Sequence, residues 1–261
     1  GPQLTAMGSF RTEKVDDKWF LVTPSGHLFF SVGIDVIRNV TDSPNGLLHP
    51  DWYDMAIPSG GGMAFSDWNL QRKFGKTDYL ADYYDFVVDR LDAWGVNTIG
   101  NWSGKELMQT GRKPYVLSLF ELSSTLPRLQ GVKFYDCFES GFSSNMMTAV
   151  QAAFASNAAA KQSKTDPMCI GYFIDNELDF SDLVAKALAL DYDSCAAKRA
   201  FLDGAIAKYG TVALLNAAWG TSFTTLDEVK TLTAPPTGTG YRDDRNAFET
   251  MWFELYFGNC R

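Results

Sequence analysis

The sequence predicts an α/β fold built from successive right-handed βα units, as in a parallel sheet or barrel. Three observations carry this. Short apolar β-favouring runs alternate with helical patterns through residue 178. The run Cys169-Ile170-Gly171-Tyr172-Phe173-Ile174 breaks off in Asp175-Asn176-Glu177, and the C-terminal end of a buried parallel strand is where α/β barrels place their chemistry. The earlier runs also end in polar or aromatic groups.

In chain order, Lys18–Thr23 and His27–Gly33 flank a Pro24-Ser25-Gly26 turn and read as strand, turn, strand. The second run continues to Ile37 as a first barrel-type strand, ending in Asp35, Arg38 and Asn39. Residues 40–76, rich in Gly, Pro, Asp and aromatics, read as a long loop; its Trp52, Tyr53, Phe65 and Trp68 suit an ordered cleft wall. Tyr79, Phe86, Val87, Leu91 and Trp94 give a helix over 78–94, which Gly95 stops. Strand 96–100 ends in Asn101-Trp102, a short helix spans 104–110, and strand 115–120 ends at Glu121. After a loop at 122–142, one Ala-rich helix over 144–162 leads to strand 169–174. Beyond Glu177 the chain reads as helix at 181–190, 195–209, 211–218 and 242–258, with no further strand. Met146, Met147 and Phe154 are expected in the core, and Asp243-Asp244 at the start of the last helix.

The 261 residues suffice for one large α/β domain or two small ones, and a net charge of -8 with no Lys/Arg stripe argues against a nucleic-acid footprint. No apolar run approaches transmembrane length. Aromatics make up 14% of the chain with seven Trp, which suits either a large aromatic core or the stacking of sugar faces on indole rings. Four scattered cysteines and two histidines argue against a metal site, and no cofactor motif is present. A disulfide such as Cys137–Cys195 stays open. Ser59-Gly60-Gly61-Gly62 lacks the Lys-Ser/Thr of a P-loop, and there is no Gly-x-Ser-x-Gly elbow. Gly1-Pro2 with Gly8-Ser9 has the look of an expression scar, so 1–9 are set apart from a single domain over 10–261.

The strand ends thus deliver Asp35, then Asn101 and Trp102, then Glu121, then Asp175-Asn176-Glu177, which is the layout of a polyol site. An Asn-Glu pair lets one residue hold a sugar 2-hydroxyl while the next reaches the glycosidic oxygen. Glu177 is the candidate catalytic residue; Asn176, Asn101, Trp102, Asp35 and Glu121 are candidates for substrate binding.

The stretch Trp19 to Asp35 resembles the entry into the catalytic barrel of β-agarases of glycoside hydrolase family 50. Asn97–Ser103 and Gly171–Glu177 are similar to that family's second and fourth strands, and Tyr209–Thr221 to a helix-turn segment after strand four. The resemblance implies a (β/α)₈ barrel that hydrolyses β-galactosidic links of agarose with retention, in the periplasm or outside the cell. Glu177 would match the acid/base, and a second Glu after strand seven would be the nucleophile. A full barrel takes about 250 residues, and this chain shows four strands and no glutamate after a late strand. The expectation is therefore a half-barrel with long loops and extra C-terminal helices. It would carry the acid/base without the nucleophile, have little activity alone, bind agarose-type galactan, and self-associate as a dimer through open sheet edges. The rival readings are a non-catalytic carbohydrate-binding module and a purely structural dimerising fragment.

Overall fold

The computed structural model describes residues 2–39, 50–52 and 65–260. The first compact unit comprises 1–119 and 157–173, the second 120–156 and 174–261.

The first unit opens with a three-stranded antiparallel sheet of β1 (Arg11–Val15), β2 (Lys18–Val22) and β3 (Leu28–Phe29). β1 escaped the sequence reading. It pairs with β2 from Arg11↔Val22 to Val15↔Lys18, so only Asp16 and Asp17 form the turn, at φ 47° and 62°. Two positive φ values in a two-residue loop match the right-handed twist of the flanking strands, and aspartate tolerates them.

The apolar run 27–37 is two strands rather than one. Leu28–Phe29 pairs antiparallel with β2, whereas β4 (Gly33–Ile34) pairs parallel with β5 (Thr98–Ile99). Asn97 holds the bend between them: its Oδ1 accepts from Val32 N at 2.8 Å and its Nδ2 donates to Phe30 O at 2.9 Å. A four-stranded sheet then runs in the order β4-β5-β6-β7, with β6 at Tyr115–Phe120 and β7 at Cys169–Ile174. The pairs β4–β5 and β5–β6 are parallel. The strands at 115–120 and 169–174 match their predicted bounds to the residue. Their last residues, Phe120 and Ile174, belong to the second unit.

Helices α1 (Phe65–Phe74), α2 (Leu80–Ala93) and α3 (Lys105–Met108) also lie in the first unit. α1 occupies part of the segment read as loop, while residues 40–49 and 53–64, with Tyr53 and the Ser59–Gly62 run, fall outside the described residues. In α2 the buried Tyr84, Val88 and Leu91 share one face, and Gly95 takes up φ 72° just beyond it. The expected helix 144–162 is two helices, α4 (Phe142–Ser156) and α5 (Ala158–Ser163). Asn157 separates them because its Oδ1 accepts from the N–H groups of Ala159 and Ala160, a cap that starts a new helix.

The second unit is mainly helical, with α4, α6 (Leu183–Leu188), α7 (Ala196–Tyr209), α8 (Val212–Trp219) and α9 (Thr239–Asn259). Thr211 caps the start of α8 through its Oγ1, and Gly210 and Gly220 close α7 and α8 at φ 67° and 71°. In α9 the buried Tyr241, Phe248, Trp252 and Tyr256 recur at seven, four and four residues, which sets them on one stripe. That stripe meets Phe134, Tyr135, Phe138, Phe201 and Trp219 in an aromatic core. Burying each such ring is worth about 1.5–3 kcal/mol relative to exposure, so α9 is a main stabiliser of this unit. Met146 is buried as expected, but Met147 is 58% exposed, since adjacent helix positions face different ways. Asp244 lies five residues inside α9 and not at its start; it accepts from Tyr209, Trp219 and Lys208. All four cysteines are free thiols.

Candidate functional site

The four strands of the parallel sheet each end in a turn containing a non-glycine residue of positive φ. These are Val36 (60°) after β4, Trp102 (57°) after β5, Leu122 (46°) after β6, and Asp175 (62°) with Glu177 (49°) after β7. For a side chain with a Cβ this conformation costs about 1–2 kcal/mol, and a β-branched valine is the least suited. Such strain persists where surrounding contacts impose it, and it concentrates at functional sites. Sequence pattern gave no sign of it, because none of these residues is Gly or Asn.

In the first unit, Asp35, Asn101 and Trp102 come together. Asp35 Oδ1 accepts the Asn101 N–H at 2.7 Å, and Val36 N donates to Asn101 O at 2.8 Å. Ile37 N donates to Ser103 Oγ at 3.1 Å, and Gly104 N to Ile37 O at 2.8 Å. The two turns therefore zip together just beyond their strands. Gly100 permits this approach: a Cβ there would collide with Asp35 Oδ1 and Ile34 O. Asn101 is 1% exposed, and both polar atoms of its side chain are buried without a hydrogen-bond partner among the described residues. A buried amide in that state is an open demand for a donor and an acceptor at once, which a water or a hydroxyl meets. Asn39 is engaged by Asp67 Oδ1 and Tyr79 Oη, so it is committed within the unit.

In the second unit, Glu121, Asp175, Asn176 and Glu177 stand on facing turns. Asp175 N donates to Phe120 O at 2.9 Å, and Leu122 N donates to Asp175 Oδ1 at 2.6 Å. Here the Asp carboxylate, 6% exposed, gains two more donors. The Tyr135 hydroxyl reaches Oδ1 at 2.8 Å and the Tyr256 hydroxyl reaches Oδ2 at 2.7 Å. Burial, and then the hydrogen bond to Asp175, pushes both phenols well above their usual range. Tyr135 Oη also accepts from Ser123 N at 3.1 Å, and Arg128 donates to Leu122 O at 2.6 Å.

From this base Glu177 projects outward, its side chain 81% exposed, with Lys133 Nζ 3.8 Å from Oε2. Asn176 is half-buried and Glu121 exposed. Two residues on, Asp179 N donates to Lys133 O, and Asp179 pairs with Lys186 at 2.6 Å. The Lys186 hydrogen bond holds the Asp179 carboxyl below the usual carboxylate range. Tyr135, Tyr256 and Lys133 were missed by sequence reasoning. Tyr135 and Lys133 lie in a segment read as plain loop, and Tyr256 follows Asp175 by 81 residues, so no local spacing connects them.

A cavity of about 270 Å³ in the second unit lies against α7 and α9, lined by residues including Phe201, Gly204, Lys208, Asp244 and Phe248; none of the strand-end residues lines it. Among the described residues no group of three or more His, Cys, Asp or Glu is arranged to hold a metal ion, and no helix is long and apolar enough to cross a membrane.

No family model matches the sequence. Two curated proteins of Vibrio sp. (strain JT0107) are similar to it. β-Agarase B is 29% identical over 269 residues, covering 84% of this chain and 28% of its own length. β-Agarase A is 27% identical over 277 residues, covering 86% and 27%. Among solved structures, PfGH50B superposes with a TM-score of 0.82 at 24% identity, over 99% of this chain and 44% of that one. The agarase AgWH50C gives 0.81 at 23% identity, over 99% and 43%, and an exo-β-agarase gives 0.78 at 23%, over 99% and 44%. The chain spans less than a third of the length of these curated relatives and under half of the solved ones. It is thus a sequence relative of the β-agarases, and its mixed α/β fold with a parallel sheet is the one found in the family 50 agarase structures.

Proposed function

We propose that the chain carries the acid/base side of a retaining β-agarase site, with Glu177 as acid/base and Asn176 on the sugar 2-hydroxyl. The observation that supports this most is the Asp175-Asn176-Glu177 turn. Its first residue is fixed by buried hydrogen bonds, and its last presents a carboxyl to solvent at the end of a strand. In such a reaction a carboxylic acid protonates the glycosidic oxygen while a second carboxylate, about 5–5.5 Å away, attacks the anomeric carbon. The first group then withdraws a proton from the water that releases the sugar. Hydrogen bonds to the 2-hydroxyl tighten as the oxocarbenium character grows, which is the role given to Asn176.

Asn101, with its unpartnered amide, Trp102, Asp35 and Glu121 are assigned to agarose-type galactan binding. We assign the nucleophile to no residue of this chain. Residues 10–261 are taken as one half-barrel catalytic domain working in the periplasm or outside the cell. Alone it binds substrate with little or no hydrolysis. The outer strands support self-association as a dimer: Ile34 on β4 and Tyr172 and Phe173 on β7 are 36%, 37% and 47% exposed, where a parallel sheet is normally covered. A monomer mass in sedimentation at micromolar concentration removes the dimer.

Calorimetric titration with agaro-oligosaccharides tests the site. Binding is expected, weakened by about tenfold or more in Asn176→Ala, Asn101→Ala and Trp102→Ala, which is the loss of one good polar or stacking contact. Equal binding in all three variants, or none in the wild type, contradicts the assignment. Cleavage of agarose by the purified chain, abolished in Glu177→Gln, would keep Glu177 and overturn the inactivity.

A further inference from the structure

We infer that Tyr256 and Tyr135 are positioning residues for Glu177, acting through Asp175, so that helix α9 sets the aim of the acid/base. The inference rests on the reading of Glu177 as acid/base. Asp175 is the first residue beyond β7, and at φ 62° it turns the backbone away from the strand direction. Glu177, two residues on, repeats the left-handed conformation at 49°. A segment with two such residues in three holds its shape only if something outside it does the holding.

The holding groups are explicit. Asp175 Oδ1 takes Leu122 N at 2.6 Å and Tyr135 Oη at 2.8 Å, and Oδ2 takes Tyr256 Oη at 2.7 Å. Both tyrosines are themselves immobilised. Their rings stack at 5.9 Å with 26° between planes, and Tyr256 lies edge-on to Phe134 at 5.3 Å. Trp252, one turn earlier on α9, donates from Nε1 to Tyr135 O at 3.0 Å. Both hydroxyls are neutral donors at working pH, so the buried carboxylate is fixed by dipoles, and no counter-charge from either tyrosine competes for Glu177. A purely structural role for the same bonds would stabilise α9 and leave the Glu177 carboxyl unmoved.

Carbon-detected NMR on the labelled full chain separates the two, with the Glu177 carboxyl assigned through Glu177→Gln. In Tyr256→Phe and Tyr135→Phe the α9 amides are expected to keep their protection. The Asp175 amide, which donates to Phe120 O, exchanges about tenfold faster or more, the loss of one hydrogen bond to a charged acceptor. The Glu177 carboxyl resonance moves. Asp175→Asn, which preserves the shape and both tyrosines, produces the same response if either phenylalanine variant does not fold. Tyr209→Phe, which removes a phenol from Asp244, leaves Glu177 as in the wild type. An unchanged Glu177 resonance and an unchanged exchange rate at Asp175 in Tyr256→Phe and Asp175→Asn overturn the inference. Addition of agaro-oligosaccharide to the same wild-type sample tests the acid/base reading separately, because an unresponsive Glu177 there sinks that reading and leaves the positioning result standing.

Discussion

Two strand-end turns of this molecule use the same device and finish it differently. In the first unit Asp35 Oδ1 accepts the backbone N–H of Asn101 at 2.7 Å; in the second, Asp175 Oδ1 accepts that of Leu122 at 2.6 Å. Each carboxylate at the end of one strand thus grips the turn that follows the neighbouring strand. Around Asp175 the construction continues inward, with two phenols completing a buried hub. Around Asp35 it stops: the carboxylate is exposed, and Asn101 is left with a buried amide that meets no partner among the described residues. The contrast separates a turn already complete in the protein from one with an unmet polar demand, the feature on which the proposed sugar contact of Asn101 rests.

The largest expected effect is at the completed turn. Asp175→Ala strands two buried phenols and one N–H, and should lower the stability of the chain by about 3 kcal/mol or more in guanidinium unfolding. A loss no larger than that of Asp35→Ala would erase the distinction between the turns. Next comes Gly100→Ala, where the added Cβ must displace Asp35 Oδ1 or Ile34 O; about 1–3 kcal/mol is expected for such overpacking. A melting temperature equal to wild type would show that the two turns do not close on each other.

Alkaline pH sharpens the comparison further. Tyr135 and Tyr256 have phenols raised above the ordinary 10.0 by burial and then by Asp175. A raised folded value means the stabilisation is complete below 10.0 and fades as pH climbs from 10.0 towards the folded value, since the unfolded chain ionises first. Tyr256→Phe should flatten that decline. Parallel curves for variant and wild type would remove the phenol from the hub. The smallest effect is at Asn101→Leu, which replaces an orphan amide by an apolar group of similar size. Stability should change by about 1 kcal/mol or less, while agaro-oligosaccharide affinity falls. A large destabilisation would mean that the amide is satisfied in solution by the protein itself.

Much of the frame was legible because its signals are local. Tyr115–Phe120 and Cys169–Ile174 are apolar blocks bounded by turn residues, and the Asn-Glu pair follows directly in sequence. The run 27–37 misled because its apolar character is continuous, while the break depends on Asn97, some 65 residues away, bonding Val32 and Phe30. The helix expected over 144–162 hid its break because alanines on both sides mask the capping Asn157. At the site, the conformations of Val36, Trp102 and Leu122 are imposed by partners across the sheet and leave no trace in residue type. The hub on Asp175 joins residues 122, 135, 175 and 256, a constellation that exists only after the core has formed.

Glu177 at the head of the Asp175-anchored turn is the centre of this account. Its most direct test is the carboxyl resonance of Glu177, followed in the full chain while a four-sugar agaro-oligosaccharide is added to saturation. Glu177 and the Asn176 side-chain amide are expected to shift together along the binding curve. Saturable binding that leaves both unmoved would contradict that expectation.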